Sequence, residues 1–144
     1  MNLPTERWLI DTNVWIFGLR RDERYPDSFA VLEAIGSFVA LVTPQIIKEL
    51  GLNLTDDEMK AFYRLLKNFS EGVQLSWQEA VPEKVQSYLD RGCRKGDAII
   101  ASSAEALAVH LIVTNNRQFL QTINNLPVRI LTPSEALLRL RDKS

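Results

Sequence analysis

The chain has 144 residues, of which 46% are hydrophobic and 24% are charged, and its formal net charge is −1. This length suits one ordinary domain, and the composition is that of a soluble globular protein. The near-zero charge excludes a strongly basic protein that coats nucleic acid, and no apolar stretch approaches the ~20 residues of a membrane helix. We therefore predict a single domain over residues 1–144, with no signal peptide and no membrane segment.

The chain contains one cysteine, Cys93, and one histidine, His110. Cys93 cannot form an internal disulfide, and we interpret it as a small, inert apolar residue. A single histidine excludes a histidine-rich zinc site. These counts favour a protein of the reducing cytoplasm.

Short apolar runs predict the strands. Four runs are continuously apolar or nearly so, at residues 8–10, 39–42, 111–113 and 128–131. Continuous rather than alternating apolar character is typical of parallel strands that are covered on both faces. Residues 73–77 alternate instead and predict a shorter edge strand.

Helices are predicted between these strands. Thr55 with Glu58 and Thr132 with Glu135 form two capping boxes, in which side chain and backbone satisfy each other at a helix start. Three further helices are predicted: one begins at residues 43–44, carries Glu49 and ends near residue 51; one covers residues 81–89; and a buried one opens at residues 96–97. Alternating strands and helices predict an α/β fold with a parallel sheet.

Carboxylates and amides recur at strand ends and helix starts. Asp11 directly follows the first strand, Asp97 stands at the start of the buried helix, and Asn115 and Asn116 follow the third strong strand. Each has an ordinary alternative role, as a helix cap, a first-turn acid or, for Glu49, a solvated helix residue. For Asn115 the alternative is to cap a short helix over residues 117–120.

Together these residues indicate a metal site. The carboxyl ends of parallel strands meet at one edge of the sheet, where ligands of such folds bind. Several carboxylates in one cleft repel each other unless a cation is present. Mg²⁺ and Mn²⁺ prefer oxygen ligands, and Mg²⁺ commonly completes its shell with water and substrate phosphate. The basic residues Arg94 and Lys95, just before Asp97, suit a phosphate-bearing substrate.

Four motifs, in this order and spacing, resemble those of PIN-domain nucleases, particularly VapC-like toxins of type II toxin–antitoxin pairs. They are LIDTNVW (residues 9–15), TPQIIKEL (43–50), RKGDAIIA (94–101) and LIVTNNRQF (111–119), and the resemblance covers nearly the whole chain. It implies a three-layer α/β/α sandwich with a mostly parallel sheet and Mg²⁺- or Mn²⁺-dependent cleavage of RNA. It also implies a homodimer and a small antitoxin partner, which often inserts a segment into the active site.

The resemblance also implies roles for individual residues. Asp11, Glu49 and Asp97 would bind the metal and, with Asn116, would form the catalytic set. Residues expected to orient the carboxylates or contact the substrate are Thr12, Asn13, Arg94, Lys95, Thr114 and Arg117. The family often has an acid where Asn116 stands, so the site would hold three formal negative charges instead of four. This departure predicts weaker metal binding, at a single ion site.

Other classes of protein also place an aspartate at a strand end. A haloacid-dehalogenase-type phosphatase would have a second acid two residues later, where this chain has Asn13. A receiver domain would need an acid pair on its first strand and a late lysine at a strand end, and the sequence shows neither. The alternative that stays open is a catalytically weak PIN fold that binds RNA or protein, because Asn116 is neutral.

Overall fold

Strands and helices alternate along the part of the chain that the computed structural model describes, residues 6–116, 119 and 128–142. Its five strands are β1 (Arg7–Ile10), β2 (Val39–Val42), β3 (Val73–Leu75), β4 (Leu111–Val113) and β5 (Arg129–Leu131). The helices of the described residues are α1 (Thr12–Leu19), α2 (Pro26–Glu33), α3 (Pro44–Asn53), α4 (Asp56–Asn68), α5 (Pro82–Asp90), α6 (Lys95–Ala106) and α7 (Pro133–Asp142).

The strands form one sheet in the order β3-β2-β1-β4-β5, and all four pairings are parallel. Strand β1 lies at the centre, with Leu9 opposite Leu41 on one side and Ile112 on the other. The chain order reverses at β1, so the carboxyl ends of β1 and β4 flank the crevice where ligands bind in such folds. The predicted parallel α/β fold is confirmed.

The central strands are buried on both faces because helices cover the sheet on both sides, which gives three layers, α/β/α. Residues Trp8, Leu9 and Ile10 have no exposed surface. The ring of Trp8 stacks on that of Phe38 with 4.1 Å between centroids. Continuous apolar sequence was the signal for this burial, and it predicted each central strand within a residue.

The predicted helix starts are confirmed at both capping boxes. The Thr55 hydroxyl accepts a hydrogen bond from the Glu58 amide at 3.2 Å, and the Glu58 carboxylate accepts one from the Thr55 amide at 2.9 Å. Thr132 and Glu135 make the same pair of bonds, at 3.2 Å to the Thr132 hydroxyl and 3.0 Å to the Glu135 carboxylate. The box satisfies amide groups that have no partner within the helix.

A few predicted bounds differ from the structure. Helix α3 continues past residue 51 to Asn53, whose side-chain amide donates to the Glu49 carbonyl at 2.7 Å and closes the last turn. Strand β3 ends at Leu75, after which the Ser76 amide still bonds the Val42 carbonyl at 2.9 Å before the chain leaves the sheet. The helix predicted over residues 117–120 lies outside the described residues, except for Phe119.

None of the helices in the described ranges is both long enough and apolar enough to cross a membrane.

Candidate active site

Asp11 occupies the carboxyl end of β1 and is almost fully buried, with 4% of its surface exposed. One carboxylate oxygen accepts a hydrogen bond from the Thr12 amide at 2.8 Å, so Asp11 also caps helix α1. The other oxygen accepts from the Thr114 hydroxyl at 2.7 Å and from the Asn13 side-chain amide at 3.2 Å. Three donors therefore fix the carboxylate. Asp11 can cap α1 and belong to the candidate site at the same time.

Residues after β4 complete this cluster. The Thr114 hydroxyl accepts from the Asn116 amide at 3.0 Å, and the Asn13 side-chain oxygen accepts from the Asn115 amide at 3.0 Å. The Asn115 side chain donates to the Ser28 hydroxyl on α2 at 2.9 Å. These bonds join the ends of β1 and β4 to the starts of α1 and α2 at the floor of the crevice.

Glu49 projects from helix α3 towards the same place. One carboxylate oxygen accepts a hydrogen bond from the Thr12 hydroxyl, and the other accepts from the Gln45 side-chain amide at 3.0 Å. A β-carbon added at Gly96 would lie 2.6 Å from a Glu49 carboxylate oxygen. Glu49 thus lies against the residue that precedes Asp97, and a side chain at position 96 would require the Glu49 carboxylate to move.

Asp97 lies in the first turn of α6 and is half-buried. Its carboxylate accepts a hydrogen bond from the Asn116 side-chain amide at 3.3 Å. Asn116 also accepts a hydrogen bond from the Phe119 amide at 3.3 Å. Asn116, which stands where the family often has an acid, therefore bonds Asp97 of the candidate site.

Burial and mutual repulsion raise the pKa values of two of these acids. Burial raises the pKa of Asp11 to about 6, and the negative charges of Asp97 and Glu49 add to this, against the hydrogen bonds from Thr114 and Thr12. Burial, followed by the charge of Glu49, also raises the pKa of Asp97, while Arg94 opposes the shift. The charges of the three carboxyl groups therefore influence one another.

The donor atoms suit a hard divalent cation, since they are carboxylate, hydroxyl and amide oxygens. A cation would also remove the cost of several buried acids in one crevice. In the described part of the chain, however, no three acidic, histidine or cysteine side chains form a ready-made ligand set. A bound ion would therefore take some of its ligands from water or from substrate oxygens.

The remaining predicted site residues divide into three groups. Thr12, Asn13 and Thr114 bond the acids or their neighbours, so they position carboxylates. Arg94 and Lys95 are exposed at the start of α6. Arg117 lies outside the described residues.

Sequence reasoning missed two partners of the site, Gln45 and Ser28. Gln45 could have been found, because a glutamine four residues before a glutamate on a helix is placed to bond it. Ser28 bonds a residue 87 positions away, and no local pattern marks such a contact.

Comparisons with known proteins agree with the fold. The family model described as PIN domain matches residues 8–124. A comparison with curated proteins found no match.

Several solved structures are similar over most of their length. The PAE2754 protein of Pyrobaculum aerophilum is 17% identical with a TM-score of 0.61, over 95% of this chain and 96% of that one. VapBC-1 of nontypeable Haemophilus influenzae is 17% identical with a TM-score of 0.62, over 89% and 98%. The PIN domain endonuclease Utp24 is 18% identical with a TM-score of 0.50, over 88% and 84%. At these identities the likeness establishes a shared fold.

Proposed function

The chain belongs to the PIN domain family, and from that premise we propose that it is a divalent-metal-dependent ribonuclease that hydrolyses phosphodiester bonds of RNA. PIN domains are generally nucleases. One observation carries the proposal: a buried carboxylate, Asp11, lies at the carboxyl end of the central strand, in the field of two further acids. Burying several carboxylates close together lowers the stability of a fold, but it provides oxygen ligands for a cation.

Asp11, Glu49 and Asp97 would hold Mg²⁺ or Mn²⁺, directly or through water. When bound, the ion supplies positive charge that activates water and offsets negative charge on the phosphate. The chain itself fixes the acids. Thr114 and the Thr12 amide hold Asp11, while the Thr12 hydroxyl and Gln45 hold the two oxygens of Glu49.

The proton of the attacking water needs an acceptor among these acids, and Asp97 and Glu49 are the two candidates. Burial and the charge of Glu49 raise the pKa of Asp97 in the metal-free protein, and a bound cation would oppose this shift. Arg94 and Lys95, exposed beside Asp97, would contact phosphates on either side of the cut.

The proposal is tested by incubating labelled RNA with the purified protein and Mn²⁺, Mg²⁺ or chelator. We expect cleavage with either ion, none with chelator, and recovery when Mn²⁺ is added in excess. Cleavage that survives chelation and leaves 2′,3′-cyclic phosphates would indicate a contaminating metal-independent ribonuclease. Folded protein that binds RNA but does not cut it with either ion would contradict the enzyme and support a binding module.

Gly96→Ala tests whether Glu49 must stay where it is. The new β-carbon would lie 2.6 Å from a Glu49 carboxylate oxygen, so the flexible end of that side chain has to move. Displacing a functional group by about 1 Å costs on the order of 10²-fold in rate, and we expect a loss of that size in RNA cleavage. The melting temperature should stay close to the parental value.

Gly51→Ala is the matched control, because a β-carbon at this helical glycine would meet nothing within 4 Å. It should cut RNA at the parental rate. Parental activity in Gly96→Ala would show that the observed position of Glu49 is not needed for cleavage.

We further propose that the nuclease is the toxin of a toxin–antitoxin pair, that it acts as a homodimer and that a small antitoxin binds it. The fold shared with VapBC-1 supports this role. It is tested by whether the product of a small adjacent reading frame co-purifies with the chain and blocks RNA cleavage. The weaker candidate, a binding module, is favoured by the neutral Asn116 that bonds Asp97.

A further inference from the structure

A cavity of about 400 Å³ opens between helices α3, α5 and α6 and the segment 76–81. This volume falls within the roughly 300–1,000 Å³ of sites that bind small molecules or cofactors. Lining side chains come from all four of these parts of the chain. The cavity is therefore a feature of the packed fold and not of one loop.

The cavity adjoins the acidic site through a shared side chain. Gln45 lines the cavity, and its amide donates to the Glu49 carboxylate at 3.0 Å. Ile99 and Ser103, which also line the cavity, belong to α6, the helix that carries Asp97. A group inside the cavity that contacts Gln45 would therefore lie one side chain away from the Glu49 carboxylate.

The lining combines apolar walls with neutral hydrogen-bonding groups. Val85, Leu89 and Ile99 provide half-buried aliphatic surface. Gln78 and Gln86 are exposed at the cavity, and a carboxamide has two N–H donors and an acceptor oxygen. Gln86 uses one of its donors in a hydrogen bond to Asp90 at 2.8 Å.

The charges at the cavity also constrain its ligand. Among the described lining residues the charged ones are Lys48 and Glu79, which have opposite signs, so no net charge is selected. A purely hydrocarbon ligand would not use the carboxamides. The chemistry fits a flat, neutral group with apolar faces and a polar edge, which describes a nucleobase.

We propose that this cavity binds the base of a nucleotide next to the cleaved phosphate, and that Gln78 and Gln86 select that base by hydrogen bonds to its edge. The inference rests on the proposed ribonuclease function and adds a sequence preference to it. Single-stranded RNA is read in this way, since its unstacked bases can enter pockets and present their edges. Trp77, next to Gln78 in the chain, is 72% exposed and provides an aromatic surface for a neighbouring base.

The first test measures cleavage of a sequence-randomised RNA pool with Mn²⁺, followed by sequencing of the cut ends. Wild type should prefer one base at a fixed distance from the cut by about tenfold, the value of one neutral hydrogen bond. Gln78→Leu or Gln86→Leu should flatten that preference, because leucine offers no hydrogen bond to the edge of the base.

Gln74→Leu makes the same change on the exposed edge strand, outside the cavity, and should keep the wild-type preference. Melting temperatures establish that the variants fold, since Gln86→Leu also removes an exposed hydrogen bond to Asp90. An unchanged base preference in both cavity variants, or a wild type with no preference, would overturn the proposal.

The second test does not depend on cleavage. In chelator, the four nucleoside 5′-monophosphates and ribose 5-phosphate are titrated separately while the side-chain amide signals of Gln78 and Gln86 are followed by NMR. One nucleotide should shift these signals, and ribose 5-phosphate should not. No shift with any nucleotide, or an equal shift with ribose 5-phosphate, would overturn the base site. A base-specific shift in a protein that cuts no RNA would keep the base site and reject the nuclease.

Discussion

Replacing Asp11 with asparagine is expected to abolish RNA cleavage, with a loss on the order of 10³-fold or more, while the protein stays folded. Asparagine has almost the same shape and keeps an oxygen that can accept from the Thr12 amide. It lacks the negative charge that a divalent cation requires. The rate of cleavage of labelled RNA in saturating Mn²⁺ measures the effect.

The control is Asp57→Asn, which makes the same change at an exposed residue in the first turn of α4. It should leave cleavage at the parental rate. If Asp11→Asn cut RNA as fast as the parent, Asp11 could not be a metal ligand of the reaction, and the acidic crevice would need another explanation.

The second large effect concerns stability in the absence of metal. Burial raises the pKa of Asp11 from 3.8 to about 6 in the folded protein. The folded state therefore binds a proton more tightly than the unfolded state, and its stability falls as pH rises between these two values. Above about pH 6 the ionised Asp11 carboxylate lowers the free energy of unfolding by its full amount, about 3 kcal/mol.

This cost is measured by denaturant unfolding in chelator from pH 4 to pH 8. It is the difference in the free energy of unfolding between wild type and Asp11→Asn. The comparison is needed because other acids change stability in the opposite sense. The ion pair with Arg20, for example, lowers the pKa of Glu58, so its contribution is lost as pH falls. Wild type should lose stability relative to Asp11→Asn as pH rises.

Added Mn²⁺ should raise the stability of wild type at pH 8 and have little effect on Asp11→Asn, because an ion that binds only the folded state stabilises it. A constant difference between the two proteins across this pH range would show that Asp11 titrates as an ordinary aspartate. The activity and stability effects of the same substitution would thus have opposite signs.

Much of the sheet could be predicted from sequence, because strands covered on both faces are apolar without interruption. Helix α1 was not predicted as an element. Its residues are apolar nearly throughout, so no polar face reveals the helical period. From the sequence, Asp11 could be either a helix cap or a residue of the site. Helix α2 begins after Tyr25 with no side-chain cap, so the sequence offered no start signal beyond Pro26.

The sequence marks the acids of the candidate site but not the hydrogen bonds that connect them. Asp11 and Asp97 are candidates because they lie at a strand end and at a helix start. Glu49 is a candidate mainly because of the family resemblance. The hydrogen bonds that orient these acids join distant positions, such as Thr12 with Glu49, 37 residues apart. Such pairs form when helices pack on the sheet, and local periodicity carries no information about them.

The central place of β1 also determines when during synthesis the crevice can exist. Trp8 pairs with Ala40 on one side and with Leu111 on the other, and Asp11 meets Thr114 across 103 residues. Chains emerge from the ribosome amino end first, and contacts between distant residues close slowly. A nascent chain that stops short of β4 lacks Thr114, one of the three donors that fix the Asp11 carboxylate. The complete crevice therefore cannot form until Thr114, about four-fifths of the way along the 144 residues, has been synthesised.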